Sequence, residues 1–462
     1  MQDVSVDVVT IGAGGGAYPA AFRLARSGRQ VVMTDPKGVM SGNCLAEGCV
    51  PSKAVREVAQ LYRRVRGGAR MGLHGQLSAE YSGALAHKSW VQELRYRQHA
   101  EELEALEPRL RLITGVARLV DSHTALVEGP QGSWRISARS VIVASGSDIT
   151  VPKLPGAELC ITSRDLFALT PQVRSVPDTL LVIGAGYIGL EAAGILQTFG
   201  AQVEVLEMED QILPGMDPDF AALLAANLDP QITVRLGSKV RSVEATPEGR
   251  RVTYLRDGKV NTAEAQQVLL AVGRHPVLPT GLAEAGVEVE VGRPRVNHSL
   301  QTSVPHIYAP GDVNGRSMLF HSAVRQSLVA ADCIAAGDRA VDHFDFGAVP
   351  TTIFTFPEAA YVGLLRGEAH LRGIPVEEAA YSFEEDSRAQ ILREMSGELR
   401  LFFAPGSLRL LGGWVVGVDA AQLIGEIGTA VAAGLTAHQL ARFPDQHPMA
   451  QEGVGKAARR LV

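Results

Sequence analysis

The chain has 462 residues, enough for a buried core and for about three domains at roughly 150 residues each. Hydrophobic residues make up 46% and charged residues 20%, a globular balance that excludes a disordered or fibrous chain. The net charge of −6 argues against a nucleic-acid partner held through phosphates, and no uncharged apolar run is long enough to span a bilayer, so neither a nucleic-acid nor a membrane partner is expected.

The N-terminus carries no basic region and runs directly into a strand pattern, so no signal peptide is expected. A cytoplasmic location is the resulting expectation. Four cysteines, Cys44, Cys49, Cys160 and Cys333, are too few to staple a chain of this length, and in a reducing compartment a close pair points to catalysis or metal binding.

Residues 5–10 (SVDVVT) read as a buried strand, followed by the turn Gly12-Ala13-Gly14-Gly15-Gly16-Ala17, a helical stretch to about Ser27 and a second strand ending at Asp35. The same design recurs later. Residues 179–183 (TLLVI) precede Gly184-Ala185-Gly186-Tyr187-Ile188-Gly189, a helix to about Phe199 and a strand ending at Glu207. In both copies the acid lies 23 residues after the first glycine. The first glycine permits the tight turn, the second lets backbone approach a pyrophosphate, and the third position allows close helix–strand packing. Phosphates then sit at the helix N-terminus, and the acid accepts from a ribose hydroxyl. One such pattern can be an ordinary tight turn; two matched copies point to two bound dinucleotides. A carboxylate at Glu207 accepts a free 2′-hydroxyl and repels a 2′-phosphate, which favours NAD.

Between the copies the chain reads Ser41-Gly42-Asn43-Cys44-Leu45-Ala46-Glu47-Gly48-Cys49-Val50-Pro51-Ser52-Lys53. Cysteines five apart point in different directions on one helix, but the pair can meet if it straddles a helix start. Pro51 suits a first helical turn and Gly48 supplies local freedom. The N-terminus of that helix would favour a thiolate. Two buried structural cysteines, or half of a metal site, are the alternatives. No second cysteine pair completes a zinc site, so no metal is expected.

Residues 54–66 and 89–107 read as helices, and 141–146 and 268–273 as short buried strands flanking the second dinucleotide unit, which places that unit as an insertion. From about residue 344 the pattern turns α+β, with a long helix through 421–434.

The cysteine segment resembles the GGxCxxxGCxPSK signature of the class I pyridine nucleotide-disulfide oxidoreductases, and the resemblance extends over nearly the whole chain. It implies an α/β fold of two Rossmann-like dinucleotide-binding domains plus a C-terminal α+β dimerisation domain. The expected boundaries are 1–148 and 273–343 for FAD binding, 149–272 for NAD binding and 344–462 for dimerisation into a homodimer. On the FAD side it implies contacts from Gly12, Gly14, Gly16, Asp35, Lys53, Gly115, Ser145 and Gly146. Tyr308-Ala309-Pro310-Gly311-Asp312 resembles the family's second FAD motif, through Gly311 and Asp312, and Met318, Leu319, Phe320 and His321 resemble a nearby flavin-contacting segment. On the NAD side it implies Gly184, Gly186, Tyr187, Ile188, Gly189, Glu207, Val240 and Gly273.

Lys53 and Glu191 match a lysine–glutamate pair beside the flavin, and Tyr187 a residue covering the nicotinamide pocket. His447-Pro448-Met449-Ala450-Gln451-Glu452 resembles the HPTxxE segment, in which a histidine oriented by the glutamate serves the thiols of the other subunit. Cys44 would then meet the substrate and Cys49 the flavin. Ser41 and Asn43 replace a glycine and a threonine of the signature, and Met449 a threonine of the histidine segment. The chain lacks the C-terminal cysteines of mercuric and large thioredoxin reductases and keeps both signature cysteines. The dihydrolipoamide dehydrogenase branch therefore matches best, implying oxidation of dihydrolipoamide on a lipoylated carrier protein by NAD⁺. Two other functions stay open: an NADH-dependent reductase of a different disulfide, and a non-enzymatic FAD- and NAD-binding redox sensor.

Overall fold

The computed structural model describes residues 1–462. The strand Gln2–Ile11 is half-exposed at its start and buried from Val8 onward. There it enters a parallel sheet between the fully buried Val31–Asp35 and the long strand Gly132–Val143. Leu110–Thr114 extends the sheet beyond Val31–Asp35. On the other side the first half of Gly132–Val143 turns antiparallel with Thr124–Gly129, which pairs with Val116–Leu119. The sequence pattern reveals only the last residues of Gly132–Val143. Its first half alternates buried and exposed positions with Arg135, Ser137 and Arg139, as a half-solvated meander does.

The chain leaves this sheet after Val143 and returns when Ile307–Tyr308 pairs with Val141–Ile142. The helix Phe320–Ala335 then packs on Tyr18–Arg26, where the Ala20 N–H donates to Ser327 Oγ at 2.9 Å. In the intervening stretch a four-stranded parallel sheet runs Ile232–Arg235, Gln202–Leu206, Thr179–Ile183, Gln267–Leu270, beside a three-stranded antiparallel sheet over 239–265. A two-stranded ribbon, Ser147–Ile149 against Arg274–Pro276, carries the chain out and back.

The C-terminal part is a five-stranded antiparallel sheet in the order Thr351–Ile353, Ala359–Gly363, Leu410–Val416, Glu398–Phe403, Glu377–Ser382. The helices Ala420–Ala432 and Glu452–Arg459 cover it. Trp414 from this sheet lies 5.9 Å, centroid to centroid, from Phe220 of the helix Pro218–Asn227, and one apolar core joins this sheet to the four-stranded parallel sheet.

A helical hairpin, Cys49–Gly67 and Tyr81–Glu104, leans on that core through Val55, Tyr81 and Leu85. The second helix begins eight residues before the position read from sequence. Ser82 and Gly83 are weak helix formers, and burial of Tyr81, Ala84 and Lys88 overrides them. No helix is long and apolar enough to cross a membrane.

Candidate active site

Both glycine turns are built alike. Gly12 and Gly184 have φ of +106° and +104°, and a Cβ on either would lie 2.2 Å from Ala144 O or 2.5 Å from Ala271 O. Only glycine fits there. A Cβ at Gly14 would meet nothing nearer than Gly42 Cα at 3.8 Å, and one at Gly186 nothing within 4 Å. The protein itself does not require glycine at these two places, whereas a phosphate lying against the backbone does. Gly189 does not line the cleft; its Cβ would sit 2.1 Å from Gly184 O, so it seats the helix on the turn.

The acids at the strand ends brace the turns. Asp35 Oδ2 accepts from the Ala13 N–H and Oδ1 from the Lys37 N–H. Glu207 Oε2 accepts from the Ala185 N–H at 2.7 Å and Oε1 from the Glu209 N–H at 3.0 Å. Each oxygen keeps a lone pair for a ribose hydroxyl.

One cleft of about 2080 Å³ contains both turns. Single-ligand sites run to roughly 1,000 Å³, so this one has room for two dinucleotides. Gly12, Gly14, Gly16, Asp35, Gly115, Ser145, Gly146, Gly311, Asp312 and the run Met318 to His321 line it, as do Gly184, Gly186, Tyr187, Ile188, Glu207, Val240 and Gly273. So do Cys44, Cys49, Lys53 and Glu191. Asp312 accepts from Ser147 Oγ at 2.6 Å, and burial holds its carboxyl above the usual range. Tyr187 meets Tyr361 hydroxyl to hydroxyl at 2.8 Å.

Cys44 lies in the short helix Gly42–Ala46, and Cys49 is the first residue of the helix Cys49–Gly67. The break between them falls at Glu47, whose φ of −156° leaves the helix, and at Gly48. The two cysteines interact side chain to side chain across that break. Interaction with the Cys44 side chain draws Cys49 below the ordinary thiol range; burial opposes it and the Lys53 ammonium assists it. The same interaction, together with burial, pushes Cys44 up. Cys49, first in its helix and beside the Lys53 ammonium, is thus the better placed of the two to carry a thiolate. Lys53 Nζ pairs with Glu191 Oε2 at 2.6 Å, while Glu191 Oε1 accepts from the Phe354 N–H at 2.9 Å.

His447 and Glu452 stand apart from the cleft. His447 Nδ1 lies 2.9 Å from Glu452 Oε1, and Lys456 Nζ lies 3.3 Å from Glu452 Oε2. Burial would raise the Glu452 carboxyl, but His447 and Lys456 hold it below the usual range. The His447 side chain is 69% exposed, so the dyad faces outward.

Several site residues escape sequence reasoning. Arg164 grips Glu47 through two bonds, at 2.9 and 3.0 Å, and Asp148 at 2.7 Å. Gln92 donates to the Leu45 and Ala46 carbonyls. Arg274 donates to Ser147, which holds Asp312. Only Glu47, lying between the cysteines, had a signal in its position.

The description "Pyridine nucleotide-disulphide oxidoreductase" fits residues 6–327, and the dimerisation domain of the same family fits residues 349–458. The chain belongs to this family. It is similar to dihydrolipoyl dehydrogenase of Vibrio cholerae, with 33% identity covering 99% of this chain and 96% of that one. Dihydrolipoyl dehydrogenase 2 of Haloarcula marismortui shares 33% identity, over 98% and 96%. Among solved structures, LpdA of Mycobacterium tuberculosis superposes with a TM-score of 0.89 at 25% identity over the whole of both chains. RclA of Escherichia coli, an HOCl-induced flavoprotein disulfide reductase, does so with 0.84 at 23% identity over 99% of this chain and 100% of that one, a likeness of fold alone. The family member is a flavin-dependent disulfide oxidoreductase with FAD and NAD as cofactors, and its dimerisation domain supports a homodimer.

The open space at Gly186 gives a direct test of the second turn. Its φ of −78° suits any residue, so Gly186→Val should fold and keep FAD. A loss of ~1.4–2.8 kcal/mol at the pyrophosphate would raise the NAD⁺ KM roughly 10- to 100-fold. An unchanged KM would remove Gly186 from the NAD site.

Proposed function

We propose that the protein is an NAD-dependent dihydrolipoamide dehydrogenase, a cytoplasmic homodimer that oxidises the dihydrolipoyl group of a lipoylated carrier protein. The observation that carries this reading is that Cys44 and Cys49, with the Lys53–Glu191 pair, line one cleft with two dinucleotide cradles. Gly12, Gly14, Asp35 and Asp312 would hold FAD, and Gly184, Gly186 and Glu207 would hold NAD. When bound, these cofactors supply the two-electron path from dithiol to nicotinamide.

The chain's own residues do the rest. With the pair oxidised, a substrate thiolate attacks Cys44 Sγ and the Cys44–Cys49 bond breaks, leaving Cys49 as the thiolate. The helix N-terminus and Lys53 stabilise that charge. The second substrate thiol displaces Cys44 from the mixed disulfide, and its proton passes to Cys44. His447 of the partner subunit, oriented by Glu452, accepts the substrate's thiol proton. Glu191 fixes Lys53, and the Phe354 N–H fixes Glu191.

The deciding assay follows NADH formation from free dihydrolipoamide and from a lipoylated carrier domain. NAD⁺ should be preferred to NADP⁺, since Glu207 and Glu209 line the second cradle and no basic residue stands beside them in the chain. Turnover of other dithiols at equal or greater kcat/KM would reassign the substrate. Failure with every dithiol in a protein containing FAD would favour a binding or sensing role.

A further inference from the structure

The short helix Gly42–Ala46 ends one residue before Glu47, so its last carbonyls have no helical partners. Gln92, wholly buried in the helix Tyr81–Glu104, supplies them: its side-chain amide donates to Leu45 O at 2.8 Å and Ala46 O at 3.0 Å. The Gln92 Oε1 has no partner, a cost borne by a residue whose contribution is its two donors. The next residue, Glu47, has an 8% exposed side chain whose two oxygens are both gripped by Arg164. Burial opposes ionisation of Glu47, but Arg164 and Lys37 hold its carboxyl below the usual range. Asn43 is tied as well, accepting from Lys37 Nζ at 2.7 Å and donating to Ser147 O at 2.9 Å. Asn43, Leu45, Ala46 and Glu47 are therefore each bonded to chain outside the loop.

We propose that Gln92 and the Arg164–Glu47 pair are positioning residues for the Cys44–Cys49 couple: they hold the intervening backbone so that the sulfurs stay in contact when the disulfide opens, and so set how readily the pair is reduced. This rests on the dithiol–disulfide reading of the pair. Reduction breaks the S–S bond with two electrons and one proton; the proton goes to Cys44 and Cys49 remains a thiolate. With dithiothreitol as reductant, that reagent loses two electrons, closes its own S–S bond and releases its second proton to water. A loop free to relax lets the sulfurs separate, which favours the dithiol. A clamped loop keeps one sulfur at high effective concentration beside the other, which favours the disulfide. Releasing the clamp should raise the potential. Gln92 is uncharged, so a shift on its removal reports geometry and not charge.

The test uses the FAD-containing dimer. Wild type, Gln92→Leu, Arg164→Gln and Lys88→Met are equilibrated across ratios of reduced to oxidised dithiothreitol, quenched in acid and alkylated. The Cys44–Cys49 peptide is then scored by mass, with Cys160 and Cys333 as free-thiol references. Lys88 lies one turn before Gln92 on the same helix and is equally buried, but donates to the Ala168 and Leu169 carbonyls instead.

Gln92→Leu should be half-reduced at about a tenfold lower ratio, a potential about 30 mV more positive. Lys88→Met should melt earlier yet stay within twofold of wild type. A Gln92→Leu midpoint within twofold of wild type, or a Lys88→Met shift as large, would overturn the inference. If Gln92→Leu does not fold, Arg164→Gln decides by the same criterion, its side chain being 45% exposed. A wild-type pair that forms no disulfide at any ratio would overturn the redox reading and this inference with it, a result distinct from unmoved variants.

Discussion

Cys49→Ser is expected to cut dihydrolipoamide-dependent NADH formation by roughly 10⁴-fold or more, as removal of a reacting nucleophile does in enzymes whose groups act as a unit. Serine fits the space of cysteine, so the helix Cys49–Gly67 should be undisturbed. What is lost is chemical. A serine hydroxyl cannot form the S–S bond, and its pKa is too high for Lys53 and the helix N-terminus to ionise it near neutrality. Cys44 is then a lone thiol with nothing to resolve a mixed disulfide. FAD retention should be unaffected, because the glycine cradle at Gly14 and the acid Asp35 lie on other elements. Reduction of ferricyanide by NADH should therefore persist. Retention of more than about a tenth of the dithiol activity would remove Cys49 from the mechanism. Equal loss of both activities would mean that the substitution had disturbed the cofactor site.

The parts of this site that the residues alone reveal have their partners within a single local unit, whereas the Lys53–Glu191 pair, 138 residues apart, comes only through the family resemblance. The glycine turns are legible because a strand, a turn and a helix follow one another and the acid lies at a fixed distance. The cysteine loop is legible because Gly48 and Pro51 mark the helix start that Cys49 occupies. His447 and Glu452 are legible by their offset, and the structure brings Nδ1 and Oε1 to 2.9 Å. The clamp around the cysteines is illegible for the opposite reason. Arg164 lies 117 residues from Glu47, and Gln92 lies 46 residues from Ala46. Nothing periodic links them, and a buried glutamine reads as any polar residue on a helix. The early start of the helix Tyr81–Glu104 is missed likewise, since tertiary burial of Tyr81 and Lys88 outweighs the weak propensities of Ser82 and Gly83.

Where the chain departs from the family signature, one replacement has a visible consequence. Asn43, in place of a threonine, bridges Lys37 and the Ser147 carbonyl and so joins the cysteine loop to the Arg274–Ser147–Asp312 chain of hydrogen bonds. Ser41, in place of a glycine, holds φ at +70° with its Oγ 3.5 Å from His99 Nδ1. For Met449 the structure offers no reason.

His447→Gln is expected to slow dithiol oxidation by roughly 10²- to 10⁴-fold, the range for loss of a general base. NADH–ferricyanide activity should be spared, since His447 does not line the cofactor cleft of its own chain. That separation has a sharper consequence. If the outward-facing dyad serves the cysteines of the other subunit, the two defects should complement each other. In a mixed dimer of Cys49→Ser and His447→Gln subunits, the subunit carrying the glutamine still has both cysteines and faces the intact histidine of the Cys49→Ser subunit. One of two sites is complete, and about half the wild-type activity should return. If the histidine served its own subunit, neither site would be complete and the mixed dimer would be as inactive as its parents. Purifying the mixed dimer through two different affinity tags and measuring kcat per dimer separates these results. A return to near half would assign the base to the partner subunit, while no recovery in a dimer that keeps its ferricyanide activity would take His447 out of that role.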